Sequence, residues 1–523
     1  MTSFRTVLTR PHQTPLYPWL VGALPIVHFY GRNFRLLKMR DNLPMLFIYG
    51  LVIAVVLAAG TLIWKSLSRS ALVLTPLLAV VVEGGAMGMG VSLGLLGLTI
   101  LLGLLLAPRR GRLPWSDLPR VNLPLNTALL LLVLMPLIGV VQAMNRGNPP
   151  VPSSLFHEPL AVPDKEQVDY KPDVYYFLVD ALGQPEFLEQ VYHLPRAAFS
   201  DVLAERGFHV LRYTFANYPQ TALSASATLN VGFLPDLLDI PDSNSQDRRV
   251  LAHLVGEARV TEAFRSLGYH VVSYPSGYPL TRIGPSEYRH RPFLHPSFTD
   301  YYVLNDSFLT LLMPLLDRGP AAFSYALRRR RLHYILDHLT DARRKIPADE
   351  PVFVYTHLLA PHPPFVFGVQ GESVELKKKF AFADGNHWYN IHGRHKGLYR
   401  SRYSNQALFI MDQLGKMVDR ILADSPRPPV IIIQGDHGPG SELEWEHPQL
   451  TNYDERMGIF NAWWVPRGVE PELYEGMTAV NTFPLLFNAL FKTEWPLLPD
   501  NYWFATMSRP YTYYDLVGHE PGP

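Results

Sequence analysis

The chain contains no cysteine among its 523 residues. That excludes disulfides, thiolate metal ligands and a cysteine nucleophile, although it names no compartment. An excess of either charge is also missing: 47 Lys and Arg stand against 46 Asp and Glu, a net charge of +1, which gives no electrostatic case for a nucleic-acid partner. There is no internal repeat. The early apolar segments lack a small-residue cleavage site after a short apolar core, which predicts anchors rather than a removed signal peptide. Charge is scarcest near the N-terminus, where Glu83 is the only charged residue within the apolar stretches 44–64, 71–107 and 125–141.

Those stretches predict a membrane domain over residues 1–144. A bilayer core takes roughly 20 apolar residues, so 44–64 suffices for one span and 125–141 for another. Residues 71–107 are too long for one span, and Glu83-Gly84-Gly85 suggests two helices broken there. Residues 15–30 are shorter and interrupted by proline, either a further span or an interfacial helix. The total is about five spans, integral to the membrane. "RRGR" (109–112) and Arg120, with Arg5 and Arg10, are expected to stay cytoplasmic under the positive-inside rule, which places the C-terminal domain outside. Arg32, Arg35, Lys38 and Arg40 fit that count less well. A lone Glu83 gives little sign of an ion relay, which argues against a transporter.

Residues 145–168 are rich in proline and polar groups, a linker leaving the membrane. From 169 to 499 short apolar runs alternate with helical patterns. Strands are predicted over 173–182, 208–216, 269–276, 352–360, 429–436 and 458–466, and helices over 248–268, 324–345 and 404–424. This alternation predicts an α/β fold with a mostly parallel central sheet covered on both faces, its site beyond the carboxyl ends of the strands. "RRRR" (328–331) reads as a solvated or membrane-facing helix surface, and 500–523 as a C-terminal tail.

Three predicted strand ends carry the groups that chemistry would need. Asp180 closes "VYYFLVD", His357 and His362 follow "VFVYT", and Asp436-His437-Gly438 closes "VIIIQGDHG". Carboxylates and imidazoles at the ends of buried strands are costly unless paired or bound to metal, and Asp with neutral His suits Zn²⁺ or Mn²⁺. Each alone could be a helix cap or a turn residue. Thr221, after the strand-breaking Pro219-Gln220, falls at or near a helix start, where it could be an N-cap or a hydroxyl nucleophile beside the positive end of the helix.

Taken in chain order, Asp180, Thr221 and Asp436-His437-Gly438 resemble the alkaline phosphatase superfamily. The layout is most similar to the membrane-anchored sulfatase-like proteins, such as lipoteichoic acid synthases and lipid A phosphoethanolamine transferases. The resemblance covers roughly Pro172 to Pro499 and includes "APHPPF" and "TNYDERMGIFNAWWVP". It implies an alkaline-phosphatase-like α/β sandwich after a multi-span membrane domain, in the bacterial inner membrane with the catalytic domain facing the periplasm. It also implies one divalent metal, Zn or Mn, held by Asp180, Thr221, Asp436 and His437, with a second metal possible and His447 a candidate for it. Thr221 would be the transiently phosphorylated nucleophile. His362 would contact phosphate or assist the leaving group, and His357 would share that part or be structural.

The expected activity is phosphoryl transfer or hydrolysis on a membrane lipid or lipid-linked envelope substrate. Two alternatives stay open: a non-catalytic envelope scaffold that keeps the fold, and a true sulfuric ester hydrolase. Thr221 followed by Ala-Leu-Ser departs from the Cys/Ser-x-Pro-x-Arg setting of sulfatases proper, which counts against the latter.

Overall fold

The computed structural model describes residues 14–33, 43–106, 118–145, 158–238, 244–284, 286, 288–289, 307, 321–341, 343–374, 378 and 380–516. The expected orientation rests on Arg5, Arg10, "RRGR" and Arg120, of which only Arg120 is among these residues; Arg35, Lys38 and Arg40, which fit it less well, most of the linker (146–157) and 517–523 also lie outside them. The chain divides into two compact units, one built around Met1–Pro150 and one from Val151–His295, Tyr325–Glu375 and Ala381–Pro523.

In the first unit the described residues form four helices: Tyr17–Asn33, Leu43–Trp64, Leu67–Leu105 and Leu118–Asn145. Two segments, Met45–Trp64 and Arg120–Gln142, are long and apolar enough to cross a membrane. They hold Phe47, Leu51, Val55, Leu62, Leu131, Met135 and Ile138 exposed, an arrangement costly in water and natural in lipid. The break expected near Glu83 does not occur, because residues 67–105 form one continuous helix. Glycine costs a helix only about 1 kcal/mol, whereas a broken backbone in an apolar medium strands several polar groups. The helix Tyr17–Asn33 packs inside the unit, with Tyr17 and Ile26 buried. Its first turn is held by the Asn126 carboxamide, whose oxygen accepts from Leu16 and Tyr17 N–H (2.7 and 2.9 Å) and whose Nδ2 donates to Thr14 O.

The second unit is a mixed α/β domain around a seven-stranded sheet. Its strands are β1 (Val174–Val179), β2 (His209–Leu211), β3 (His270–Tyr274), β4 (Tyr288–Arg289), β5 (Val352–Leu358), β6 (Val430–Gly435) and β7 (Asn461–Trp464), in the order β2-β7-β6-β1-β5-β3-β4. Pairs β1/β5, β1/β6, β3/β5 and β3/β4 are parallel, and only β7 pairs antiparallel, with β2 and β6. All residues of β1, β5 and β6 are buried, which explains their near-continuous apolar runs. On one side Tyr176, Phe353 and Ile432 meet Ala225 and Leu229 of helix Thr221–Asn230, Phe264 of Arg259–Ser266, and Phe483 and Phe487 of Thr482–Phe491. Helix Lys396–Asp424 buries Tyr399, Tyr403, Ala407, Ile410, Leu414, Met417 and Ile421 at three- and four-residue spacing, the mark of a core-facing stripe.

Three local expectations are corrected. The single helix 248–268 is two, Arg249–Gly256 and Arg259–Ser266, with Ala258 extended between them. The second start is satisfied from a distance, since Asn230 Oδ1 accepts from Arg259 N–H at 3.1 Å. "RRRR" is only half solvated, with Arg330 exposed. Arg328 and Arg331, three apart on helix Ala322–His338, are 1% and 2% exposed, and their guanidiniums donate to Leu359 O and Pro275 O at the ends of β5 and β3. Residues 500–516, expected as a tail, include the strand pair Trp503–Phe504 and Tyr514–Asp515, and Phe504 is fully buried.

At the amino end of β1, away from the strand ends that carry the site residues, Asp173 and Arg343 form an ion pair of 2.9 Å, 1% and 3% exposed. Asp173 also accepts from Val352 N–H of β5, and its carbonyl accepts from Val430 N–H of β6. Removing one member strands a buried charge at about 3–5 kcal/mol. Arg343→Met is therefore expected to lower the melting temperature strongly while leaving cation binding at the opposite strand ends unchanged, as chemical denaturation and cation titration will read.

Candidate active site

Parallel register aligns the ends of three strands. Val179 lies opposite Leu358 of β5 and Gly435 of β6, so the next residues of β1 and β6, Asp180 and Asp436, emerge side by side. Ala181 then turns with a φ of 63°, a left-handed conformation costing about 1–2 kcal/mol for a residue with a Cβ. The turn aims its N–H at Asp436 Oδ1, 2.9 Å away, and His437 N–H donates to the same oxygen at 2.9 Å. Glycine is required around this turn by space: a Cβ on Gly435 would stand 2.2 Å from Leu182 O, and one on Gly438 1.9 Å from Glu455 O.

Thr221 is the first residue of helix Thr221–Asn230, and the N-cap is Gln220. The threonine hydroxyl lies 3.2 Å from His437 Nε2. That nitrogen stands 3.5 Å from Asp180 Oδ1 and 3.5 Å from Asp436 Oδ2. The His437 Nδ1–H donates to Gly438 O at 2.9 Å, which leaves Nε2 with its lone pair. Asp180, Thr221, Asp436 and His437, scattered through the chain, are therefore brought together.

His357 lies within β5, inside the predicted strand 352–360, fully buried, with Nε2 3.4 Å from Asp180 Oδ2. Its Nδ1 is 2.7 Å from Ser276 Oγ and 2.8 Å from Thr281 Oγ1. Asp180 thus stands between two imidazoles, one facing each oxygen. His362 is half-buried beside the cluster, its ring 6.2 Å from that of His437 and its backbone N–H donating to Asp180 O. His447 is exposed on the turn before Pro448–Leu450 and joins none of these contacts.

Burial opposes the Asp180 charge, but His362, His357 and His437 outweigh it and hold its carboxyl below the usual range. Burial and the Asp180 charge push Asp436 well above it. Burial and the Arg456 guanidinium bring His437 down to about 3, and burial lowers His357 as well.

The fit to a cation can be judged from the atoms themselves. Asp180 Oδ1, Asp436 Oδ2 and His357 Nε2 are buried with no hydrogen-bond partner. One ligand atom from each of Asp180, His357 and Asp436 can be chosen with all three within 4.8 Å of one another. Orphaned carboxylate oxygens of this kind are costly in a low-dielectric interior, and a divalent cation satisfies them together. Carboxylate oxygens, imidazole nitrogens and a hydroxyl form a donor set suited to Zn²⁺ or Mn²⁺, so the residues fit the group.

Arg456 was not singled out from the sequence. It is 1% exposed on the short helix Tyr453–Met457, with Nη2 3.3 Å from His437 Nε2 and Nη1 2.7 Å from Asp384 Oδ2. The only signal for it was a charged residue directly before the apolar run "MGIF".

No family model matches the chain, and no curated protein matches it. Among solved structures it is similar to the integral membrane protein lipooligosaccharide phosphoethanolamine transferase A from Neisseria meningitidis, at 13% identity over 90% of this chain and 94% of that one, TM-score 0.38. It is similar to the C-terminal periplasmic domain of EcEptC from Escherichia coli in complex with Zn, at 12% identity over 68% and 96%, TM-score 0.37. A protein in the alkaline phosphatase superfamily from Vibrio parahaemolyticus is similar at 12% identity over 65% and 73%, TM-score 0.38.

Proposed function

We propose that the chain is a membrane-anchored, metal-dependent enzyme that moves phosphoryl groups between phosphoesters of membrane lipids or envelope glycans, with Thr221 as nucleophile. One observation carries this reading: the Thr221 hydroxyl sits 3.2 Å from His437 Nε2, in a cluster whose Asp180 Oδ1 and Asp436 Oδ2 have no hydrogen-bond partner. The exposed apolar faces of Met45–Trp64 and Arg120–Gln142 support the anchor and hence a substrate presented at a lipid surface.

Asp180, Asp436, His437 and Thr221 would hold the cation, with His357 behind the second oxygen of Asp180. A divalent cation bound there supplies positive charge that lowers the hydroxyl pKa and balances the developing anion. Thr221 Oγ1, its proton given up to solvent, bonds to phosphorus as the ester oxygen leaves in line, and in the second step the incoming alcohol or water bonds to phosphorus as Thr221 Oγ1 leaves. His362, half-buried next to the cluster, gives a proton to the leaving ester oxygen and then takes one from the incoming alcohol or water. The positive end of helix Thr221–Asn230 would favour the anionic phosphoryl group at Thr221.

The test uses the full chain in detergent. Near-stoichiometric Zn or Mn is expected on metal analysis, and chelation should lower stability. Free cation at a hundredfold its Kd contributes about 2.7 kcal/mol, and its readdition should restore the melting temperature. After exposure to native membrane lipids, mass spectrometry should find an added group on Thr221. A chain that binds neither metal, even after supplementation, is the scaffold and not the enzyme.

A further inference from the structure

The nucleophile and the cation ligands come from turns far apart in the chain, and one buried side chain ties them. Arg456 Nε donates to Pro219 O, two residues before Thr221, at 2.9 Å. Its Nη1 donates to Gly438 O, directly after His437, at 3.0 Å, and Gly438 N–H returns a bond to the Arg456 carbonyl at 2.8 Å. The same Nη1 pairs with Asp384 at 2.7 Å, while Nη2 is 3.3 Å from His437 Nε2. The guanidinium lies over the Trp445 ring, 5.0 Å from its centroid.

Asp384 is itself built into the same structure. It is 3% exposed; its Oδ1 accepts from the Tyr399 hydroxyl at 2.5 Å, and that hydroxyl accepts from Gly440 N–H at 3.0 Å. The buried cation is thus neutralised by one carboxylate, which is anchored in turn to the segment after His437. A planar fork with five N–H donors can serve carbonyls in two separate segments at once, whereas an ammonium group on a flexible stem cannot hold the same geometry.

We propose that Arg456 is the positioning residue of this site. It fixes the Pro219 and Gly438 carbonyls on one guanidinium and so sets the separation between the Thr221 hydroxyl and His437 Nε2. Its meaning for catalysis rests on the function proposed above, but its structural consequence does not.

Arg456→Lys keeps the charge for Asp384 and removes the fork. Hydrogen exchange followed by mass spectrometry on the cation-free full chain should show peptides covering 217–224 and 436–442 exchanging on the order of tenfold faster or more, with β1 and β6 still protected. Affinity for Zn or Mn, by competition with a chelator, should weaken on the order of 10–100-fold. Where a chromogenic phosphoester is turned over, kcat should fall more than KM changes, and added guanidinium ion should partly rescue Arg456→Ala. Tyr399→Phe, a milder change, should loosen the same two turns less. Wild-type exchange in both turns, or uniform loosening of the whole domain, overturns the proposal. A wild-type chain that binds no cation overturns the proposed function instead, and the exchange data still decide the role of Arg456.

Discussion

Thr221→Ala is expected to lower turnover on the order of 10⁴-fold or more while the protein stays folded. The two halves of that expectation have separate physical grounds. On the proposed mechanism the rate loss follows from deleting the atom that would bond to phosphorus, for which no other hydroxyl is placed against His437 Nε2 among the described contacts. The tolerance follows from local structure: Gln220, not Thr221, is the N-cap, and the deleted hydroxyl supports no backbone group. A methyl-sized side chain at a first-turn position should change stability by no more than about 1 kcal/mol. Steady-state kinetics on a phosphodiester, with thermal melting of the same samples, will separate the two. Thr221→Ser keeps an oxygen in place and should recover part of the rate. An alanine variant with full, cation-dependent activity would remove Thr221 from the mechanism.

The sequence disclosed the site to the extent that local patterns decide it. β1, β5 and β6 were legible because burial on both faces requires unbroken apolar runs, and Asp180, Asp436 and His437 stood out because charge directly after such a run is expensive. Thr221 was legible as a helix start. What lay beyond reach was decided by partners remote in the chain. The helix break at Ala258 is paid for by the Asn230 side chain, and the burial of Arg328 and Arg331 by carbonyls at the ends of β5 and β3. Arg456 follows the same rule, since Pro219, Asp384 and Gly438 all lie outside its own segment. His357 fell inside the predicted strand 352–360, but the strand pattern alone does not say that its ring faces Asp180, Ser276 and Thr281, which come from other segments. The continuous helix 67–105 erred the other way: local glycines signalled a break that backbone hydrogen bonding in an apolar setting overrides.

A chain ending at Pro499 is expected not to hold its α/β domain folded, although composition marks the missing residues as a tail. The segment after Pro499 covers the approach to Thr221 almost residue by residue. Phe215 stacks on Tyr502 at 5.4 Å, and Tyr218 on Trp503 at 5.5 Å. Asn217 donates to Asn501 O and accepts from Trp503 N–H, while Gln220 donates to Ala505 O and Thr506 O at 3.1 and 3.0 Å. Arg248 closes the arrangement by donating to both Gln220 Oε1 and Met507 O. Phe504 is fully buried against Phe215, Trp445 and Ile459, and truncating such a ring to alanine costs about 3–5 kcal/mol. Loss of Trp503 and the hydrogen bonds adds to this, against a total stability of about 5–15 kcal/mol for a domain. Phe504→Ala alone should therefore lower the denaturation midpoint substantially and reduce kcat in the fraction that folds, because the carbonyls and side chains that present Thr221 lose their cover. Chemical denaturation of the point variant and solubility of the truncated chain are the measurements. A truncated protein that melts within a few degrees of the full chain would show that residues 215–220 are held by the sheet and helices alone.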